Sequence, residues 1–190
     1  EQGFDGAPLP FSLVGTTETL SFVEGEVTGT PTSMSFRTDE AMTTAAALLR
    51  AMHDASVGFV HEDGDVWDLP AHEPHEVICH GDFAPYNCAI NLGVVSGVFD
   101  FDTAHPGPRL RDLGYAAYRW APLHYPDNPE AFGSVDENWR RLRLFVDAYF
   151  DEDGSDGSPP AVYRGVIQAA IDRLTDHVGM MRERADAGHE

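Results

Sequence analysis

The sequence has 190 residues, and 32 acidic side chains outnumber 12 basic ones for a formal charge of −20. All twelve basic residues are arginine, and there is no lysine. That balance excludes a general binder of nucleic acid or of anionic membranes, because neutralising phosphates takes clustered cations. It also excludes chemistry that needs a lysine from these residues. With 42% apolar and 23% charged residues, the composition is that of an ordinary globular protein with one core. The apolar runs, such as Ala45–Leu49, fall far short of the roughly 18 residues that span a bilayer. Nothing at the start has the basic-then-apolar pattern of a signal peptide. Cys79 and Cys88 are too few for a disulfide scaffold and sit in apolar stretches, so they read as reduced thiols of a cytoplasmic protein.

Residues 1–16 have loop composition around a short apolar piece, Phe11–Val14. Thr19–Val23 alternates and is rich in strand formers, which predicts a strand ending at Glu24-Gly25. Residues 26–37 read as a linker. Asp39 is placed to cap a helix running to about Asp54, in which Met42, Ala45, Ala46, Leu49 and Met52 recur at helical spacing. Residues 56–75 read as an irregular loop. Val77–Cys79 reads as a brief buried strand, and Cys88–Leu92 with Val94–Phe99 as a hairpin around Gly93. Helices are predicted from Asp112 to about Pro122, over 136–150 and over 160–185. The acidic Gly/Ser stretch 151–158, with its run Asp151-Glu152-Asp153, is predicted to be a solvated loop. There is no internal repeat. A little strand, a small hairpin and helices elsewhere make an α+β fold with a mostly helical body.

The chemistry-bearing stretch is His80-Gly81-Asp82-Phe83-Ala84-Pro85-Tyr86-Asn87, followed by Gly97-Val98-Phe99-Asp100-Phe101-Asp102. A hairpin between Asn87 and Asp100 returns its two ends to one point. An amide oxygen and a carboxylate there form a hard oxygen pair suited to Mg²⁺, which keeps water and phosphate oxygens as its other ligands. Asp82 lies one loop away, where a carboxylate can orient an attacking hydroxyl and accept its proton. Asp112, at a predicted helix start, reads as an N-cap. His72, His75, Cys79, His80 and Cys88 match no zinc-ligand spacing and read as loop and core residues. His53 and His177 read as helix-end or helix-edge residues.

This order of groups is the layout of the protein-kinase catalytic loop, H-R-D-x-x-x-x-N followed by D-F-G. With Gly81 in place of Arg, and with Ala104, Gly107 and Asp112-Leu113 downstream, it strongly resembles the aminoglycoside phosphotransferase and choline-kinase-like family. Leu48–His53 is similar to that family's helix ahead of the catalytic loop, and Leu20–Gly25 to its hinge strand. The resemblance implies a protein-kinase-like C-terminal lobe, mainly helical with a small catalytic β-hairpin, plus a partial N-lobe hinge strand. Residues 1–30 would be the remnant of the N-lobe and hinge, and residues 31–190 the helical catalytic lobe.

The resemblance further implies transfer of the ATP γ-phosphoryl group to a hydroxyl of a small molecule, often one bearing an amine. Asp82 would be the catalytic base, and Asn87 and Asp100 the Mg²⁺ ligands. The backbone of Phe22, Val23 and Glu24 would take the adenine edge. His80 would buttress the loop, and Asp112 would cap its helix and hold the catalytic loop in place. Asp102 would contact substrate or support the loop. Trp120, Tyr125, Trp139, Tyr149 and Tyr163 are either pocket-lining or helix-packing aromatics.

The family also uses a Gly-rich flap and a phosphate-binding lysine upstream of the hinge, and these 190 residues contain no lysine. With Glu1 rather than Met at the start, the sequence reads as the lobe and hinge of a longer phosphotransferase. The alternative is a catalytically incomplete remnant that acts as a nucleotide-binding or protein-interaction module. In either case apolar surface near Phe11, Leu13 and Leu20 is expected to be masked by a homodimer contact or by rearranged N-terminal residues.

Overall fold

A computed structural model describes residues 3–59, 64–125, 127–128, 130–150 and 160–188. The acidic stretch 151–158 lies outside the described residues. The chain opens with an antiparallel hairpin, β1 (Pro10–Val14) and β2 (Thr17–Leu20). Both strands are exposed along their whole length, with Phe11 at 66% and Leu13 at 72% relative exposure. Of the two covers expected from sequence, rearranged N-terminal residues do not mask this surface among the described residues. The strand also stops three residues earlier than its pattern predicts. Ser21 still bonds back to Leu9, but Val23 then turns inward to pack on Gly97. Pairing resumes only at Glu26, which exchanges backbone hydrogen bonds of 2.8 and 2.9 Å with Ile90.

Helix α1 (Asp39–Ser56) is capped by Thr38, whose hydroxyl accepts from the Ala41 N–H at 3.1 Å. Asp39 lies inside the first turn, where its charge suits the helix dipole but does not cap. The predicted apolar stripe is the buried face: Met42, Ala45, Ala46 and Leu49 are fully enclosed. Strand β3 (Val77–Cys79) pairs antiparallel with β6 (His105–Gly107), while β4 (Cys88–Asn91) pairs antiparallel with β5 (Val94–Val98). A His-Pro-Gly segment has no strand propensity of its own, so β6 exists because β3 offers it a partner.

Three further helices follow, α2 (Arg109–Trp120), α3 (Val135–Phe150) and α4 (Pro160–Asp186). Helix α1 packs on α3 and α2 on α4. At Gly114 a Cβ would come within 2.7 Å of the Ala170 nitrogen, so the absent side chain lets α2 and α4 approach closely. The shared core joins Leu49, Val98, Leu113, Trp120, Phe145 and Val166 from five elements. Trp120 and Tyr149 are buried in it, whereas Tyr125 and Trp139 are exposed. Cys79 and Cys88 are both free and buried, and burial pushes both thiols far above their ordinary range. Neither is a nucleophile.

Candidate active site

The segment between β3 and β4 is a tight loop closed by a 3₁₀ turn, Pro85–Asn87, in which the Asn87 N–H donates to the Ala84 carbonyl at 3.0 Å. Gly81 has φ +82, and a Cβ there would collide with the carbonyl of Thr103. Both facts require glycine between His80 and Asp82. Strands β4 and β5 then leave and return. Beyond their last pair, Cys88 and Val98, the Phe99 N–H donates to the Asn87 carbonyl at 3.0 Å. Asn87 and the residue after Phe99, Asp100, therefore meet at one end of the hairpin, as the spacing predicts. Asp100 holds a left-handed conformation, φ +66, which turns the chain out of the strand.

Buried polar groups fix the loop from behind. The Asp112 carboxylate accepts from the His80 N–H at 2.7 Å and the Gly81 N–H at 3.0 Å, and it bonds His53 Nε2 at 3.0 Å. Tyr149 lies 2.7 Å from His53 Nδ1 and completes a chain of contacts from α3 through α1 and α2 to the loop. Asp112 does not cap α2. It lies in the fourth helical position behind Pro108, and its side chain serves the neighbouring loop instead. Burial pushes the Asp112 carboxyl up, but hydrogen bonding and positive charge from His53, with the His80 contacts, outweigh this and leave it at about 2. His80 accepts at Nδ1 from the Asp82 N–H at 3.3 Å, which leaves Nε2 to donate to the Phe99 carbonyl at 3.0 Å. His80 thus ties the loop to the hairpin end as a brace.

Asp82 itself is closely held. Its Oδ1 accepts from the hydroxyls of Tyr86 at 2.7 Å and Tyr115 at 2.8 Å. Its Oδ2 accepts from Asn87 Nδ2 at 3.0 Å. A carboxylate offers about four lone-pair sites, so both on Oδ1 are taken and one on Oδ2 stays open. Burial, and then the neighbouring Asp82 charge, push the Tyr86 phenol up to about 12, and Tyr115 is pushed up for the same reasons. Both therefore remain protonated donors at neutral pH. Arg119 lies over the Tyr86 ring at 5.1 Å and Arg173 over the Tyr115 ring at 5.3 Å. Asn87 spends its NH₂ group on Asp82, which leaves its amide oxygen as the atom available to a cation.

Phe22, Val23 and Glu24 line a cleft of about 250 Å³ with Asp5–Ala7, Ser96 and Gly97, next to the base of the catalytic hairpin. Phe22 is 80% exposed, so its side chain forms a rim rather than a floor. Asp102 is exposed beside Asp100. Among the described residues no group of three or more His, Cys, Asp or Glu side chains is placed to hold a metal. The Asn87 amide oxygen and the Asp100 carboxylate are hard-cation donors at the hairpin end, a sparse set that fits Mg²⁺ carrying water and phosphate.

Four participants escaped the sequence reading. Tyr86 lies inside the motif and Tyr115 one helical turn beyond Asp112, so position alone could have flagged both. His53 reads as a helix end but is fully buried against Asp112. Arg173 lies far along the chain and carries no local signal.

Comparison with known proteins agrees with this geometry. Residues 61–145 match the model of the phosphotransferase enzyme family. The trifolitoxin immunity protein of Rhizobium leguminosarum bv. trifolii is 33% identical over 159 residues, which is 77% of this chain and 58% of that protein. Among solved structures, a choline/ethanolamine kinase family protein from Mesorhizobium loti superposes with a TM-score of 0.61 at 18% identity, over 97% of this chain and 67% of its own. Plasmodium vivax ethanolamine kinase gives 0.57 at 12% identity, over 89% and 58%. The chain thus spans 58% of the length of the curated relative, and the structural matches at these identities speak for the fold. Joined to the loop, brace and hairpin seen here, they show a protein-kinase-like fold whose residues 61–145 carry the pattern of the phosphotransferase enzyme family.

Proposed function

We propose that residues 31–190 are the catalytic lobe, and residues 1–30 the hinge portion, of an ATP-dependent phosphotransferase whose acceptor is a hydroxyl of a small molecule. The observation that carries this is the carboxylate of Asp82, held by three donors with one lone pair of Oδ2 left open. The acceptor hydroxyl donates into that lone pair, which aims its oxygen at the γ-phosphorus. As the new O–P bond forms, the bond from phosphorus to the β–γ bridging oxygen breaks and ADP leaves. The hydroxyl proton passes to Oδ2. The protein contributes mainly position, since a transferring phosphoryl group needs alignment and charge neutralisation. Asn87 through its amide oxygen and Asp100 would hold Mg²⁺, which when bound offsets the charge on the phosphates. The cleft at Phe22–Glu24 would take the adenine.

The test is Mg²⁺·ATP turnover against a panel of aminoglycosides, choline, homoserine and sugar amines. Asp82→Ala should remove transfer while leaving nucleotide affinity nearly unchanged. A variant that keeps more than about a tenth of the wild-type rate, about 1.4 kcal/mol of barrier, would overturn the role of Asp82. The alternative is a nucleotide-binding or protein-interaction module without turnover. Saturable Mg²⁺-dependent ATP binding without transfer to any acceptor would favour that reading.

A further inference from the structure

Behind the catalytic loop, on the α4 side, lies a second cavity of about 550 Å³, larger than the hinge cleft. One wall is apolar, from Leu69, Pro70 and Met180, and its inner end is formed by Arg173, Arg111 and His72. The lining also carries Asp176 and Glu183, and beside the two arginines His105 meets His72 edge-on with ring centroids 5.8 Å apart.

Arg173 is only 6% exposed. Its guanidinium donates to the Gly81 carbonyl at 3.2 Å and lies over the Tyr115 ring, and its Nε has no hydrogen-bond partner. Among the described residues no carboxylate lies within ion-pair distance of it. Arg111 pairs with Asp176 at 2.9 Å, and its Nε is also unpartnered. A buried cation with Asp112 and Asp82 only beyond contact distance is costly, and the nearby Arg111 repels it. Burial pushes the His72 imidazole below its ordinary value, and Arg111, His105 and Arg173 push it further down against the opposing pull of Asp176. An anion at this point would relieve both the burial of the charge and the repulsion.

We propose that the cavity between the 69–72 segment, α2 and α4 binds an organic anion, its carboxylate or phosphate against Arg173 and Arg111 and its apolar body against Leu69, Pro70 and Met180. Because Arg173 holds the carbonyl of Gly81 and covers the tyrosine that holds Asp82, occupancy is linked to the catalytic loop. This site is separate from the hinge cleft and requires neither ATP nor turnover.

The probes are benzoate and phenyl phosphate, with benzyl alcohol as the neutral control, titrated into the full chain while the histidine ring signals are followed by NMR. Both anions should give saturable shifts at His72 and raise its titration midpoint, and the stronger of the two identifies carboxylate or phosphate as the preferred head group. Benzyl alcohol should give no saturable shift. Arg173→Gln should weaken the better anion at least tenfold. Because that substitution alters a buried group, Met180→Trp provides an independent test: it fills the apolar end, keeps both arginines and should abolish binding with the melting temperature preserved. Absence of saturation by either anion, or equal affinity in wild type and both variants, would overturn the proposal. Failure to find a phosphoryl acceptor would leave it standing.

Discussion

The catalytic loop and the N-terminal hairpin are both short, turn-rich segments, yet they are built in opposite ways. In the loop, His80 and Gly81 are buried with their backbone N–H groups on one carboxylate, and Asp82 takes three donors. In the hairpin every strand residue is exposed, and Leu9, Phe11, Leu13 and Val14 show their apolar side chains to solvent. The loop is over-determined by Phe99 just beyond β5 and by groups from α1 and α2, while the hairpin rests on its own ladder and on Glu26 and Val23 further along. The position of the Asp82 carboxylate is enforced by the groups packed around it, and the N-terminal hairpin is attached to the core at few points.

The sharpest way to break this contrast is Asp112→Asn. It keeps one acceptor oxygen but turns the other into an NH₂ donor facing a buried N–H, removes the charge beside His53, and should cost about 3–5 kcal/mol of stability by denaturant titration. A loss below about 1 kcal/mol, no more than an ordinary hydrogen bond contributes, would mean the loop is held by something else. The same residue sets an acid limit. Its native carboxyl at about 2 lies below the free value, so the unfolded chain binds the proton first. That contribution, about 2 kcal/mol, is complete above about pH 4 and is lost as the pH falls toward 2. Asp112→Asn should flatten the stability profile across this window.

Tyr115→Phe removes one donor from Asp82 and keeps the ring under Arg173. A hydrogen bond to a charged group is worth about 1.5–3 kcal/mol, so kcat should fall by about 10- to 100-fold with ATP affinity preserved. An unchanged kcat would show that Tyr86 and Asn87 suffice. Smaller effects are expected at the surface. Arg140 joins Asp39 and Glu137 at 2.7 and 2.8 Å with about half its side chain exposed, and Arg140→Ala should cost less than about 1 kcal/mol, falling further in high salt. Phe11→Ser should change stability by no more than about 0.5 kcal/mol. A larger loss would show that the hairpin's apolar surface is covered in solution, as a homodimer contact would cover it.

Much of the fold was legible from local pattern. The apolar stripe of α1, the short strands around Gly93 and the two long C-terminal helices follow from periodicity and turn chemistry, and all lie within a few residues of where the pattern puts them. What escaped depends on contacts distant in sequence. Strand β6 has no propensity, Ser21 to Glu24 leave the strand because Val23 has a partner on β5, and the cap of α1 moves to Thr38 because its hydroxyl reaches the Ala41 N–H.

The sequence by itself determined the lysine-free acidic composition and the ordered set His80, Asp82, Asn87 and Asp100, because those lie on one loop and hairpin whose spacing dictates their meeting. Only the tertiary structure decided that Asp112 bonds a neighbouring loop rather than its own helix, that His53 is a buried partner of that carboxylate, and that Tyr115 reaches Asp82 with Arg173 over its ring. Helices α1, α2 and α4 carry those groups, and how helices pack is settled by their buried faces together rather than by any one segment.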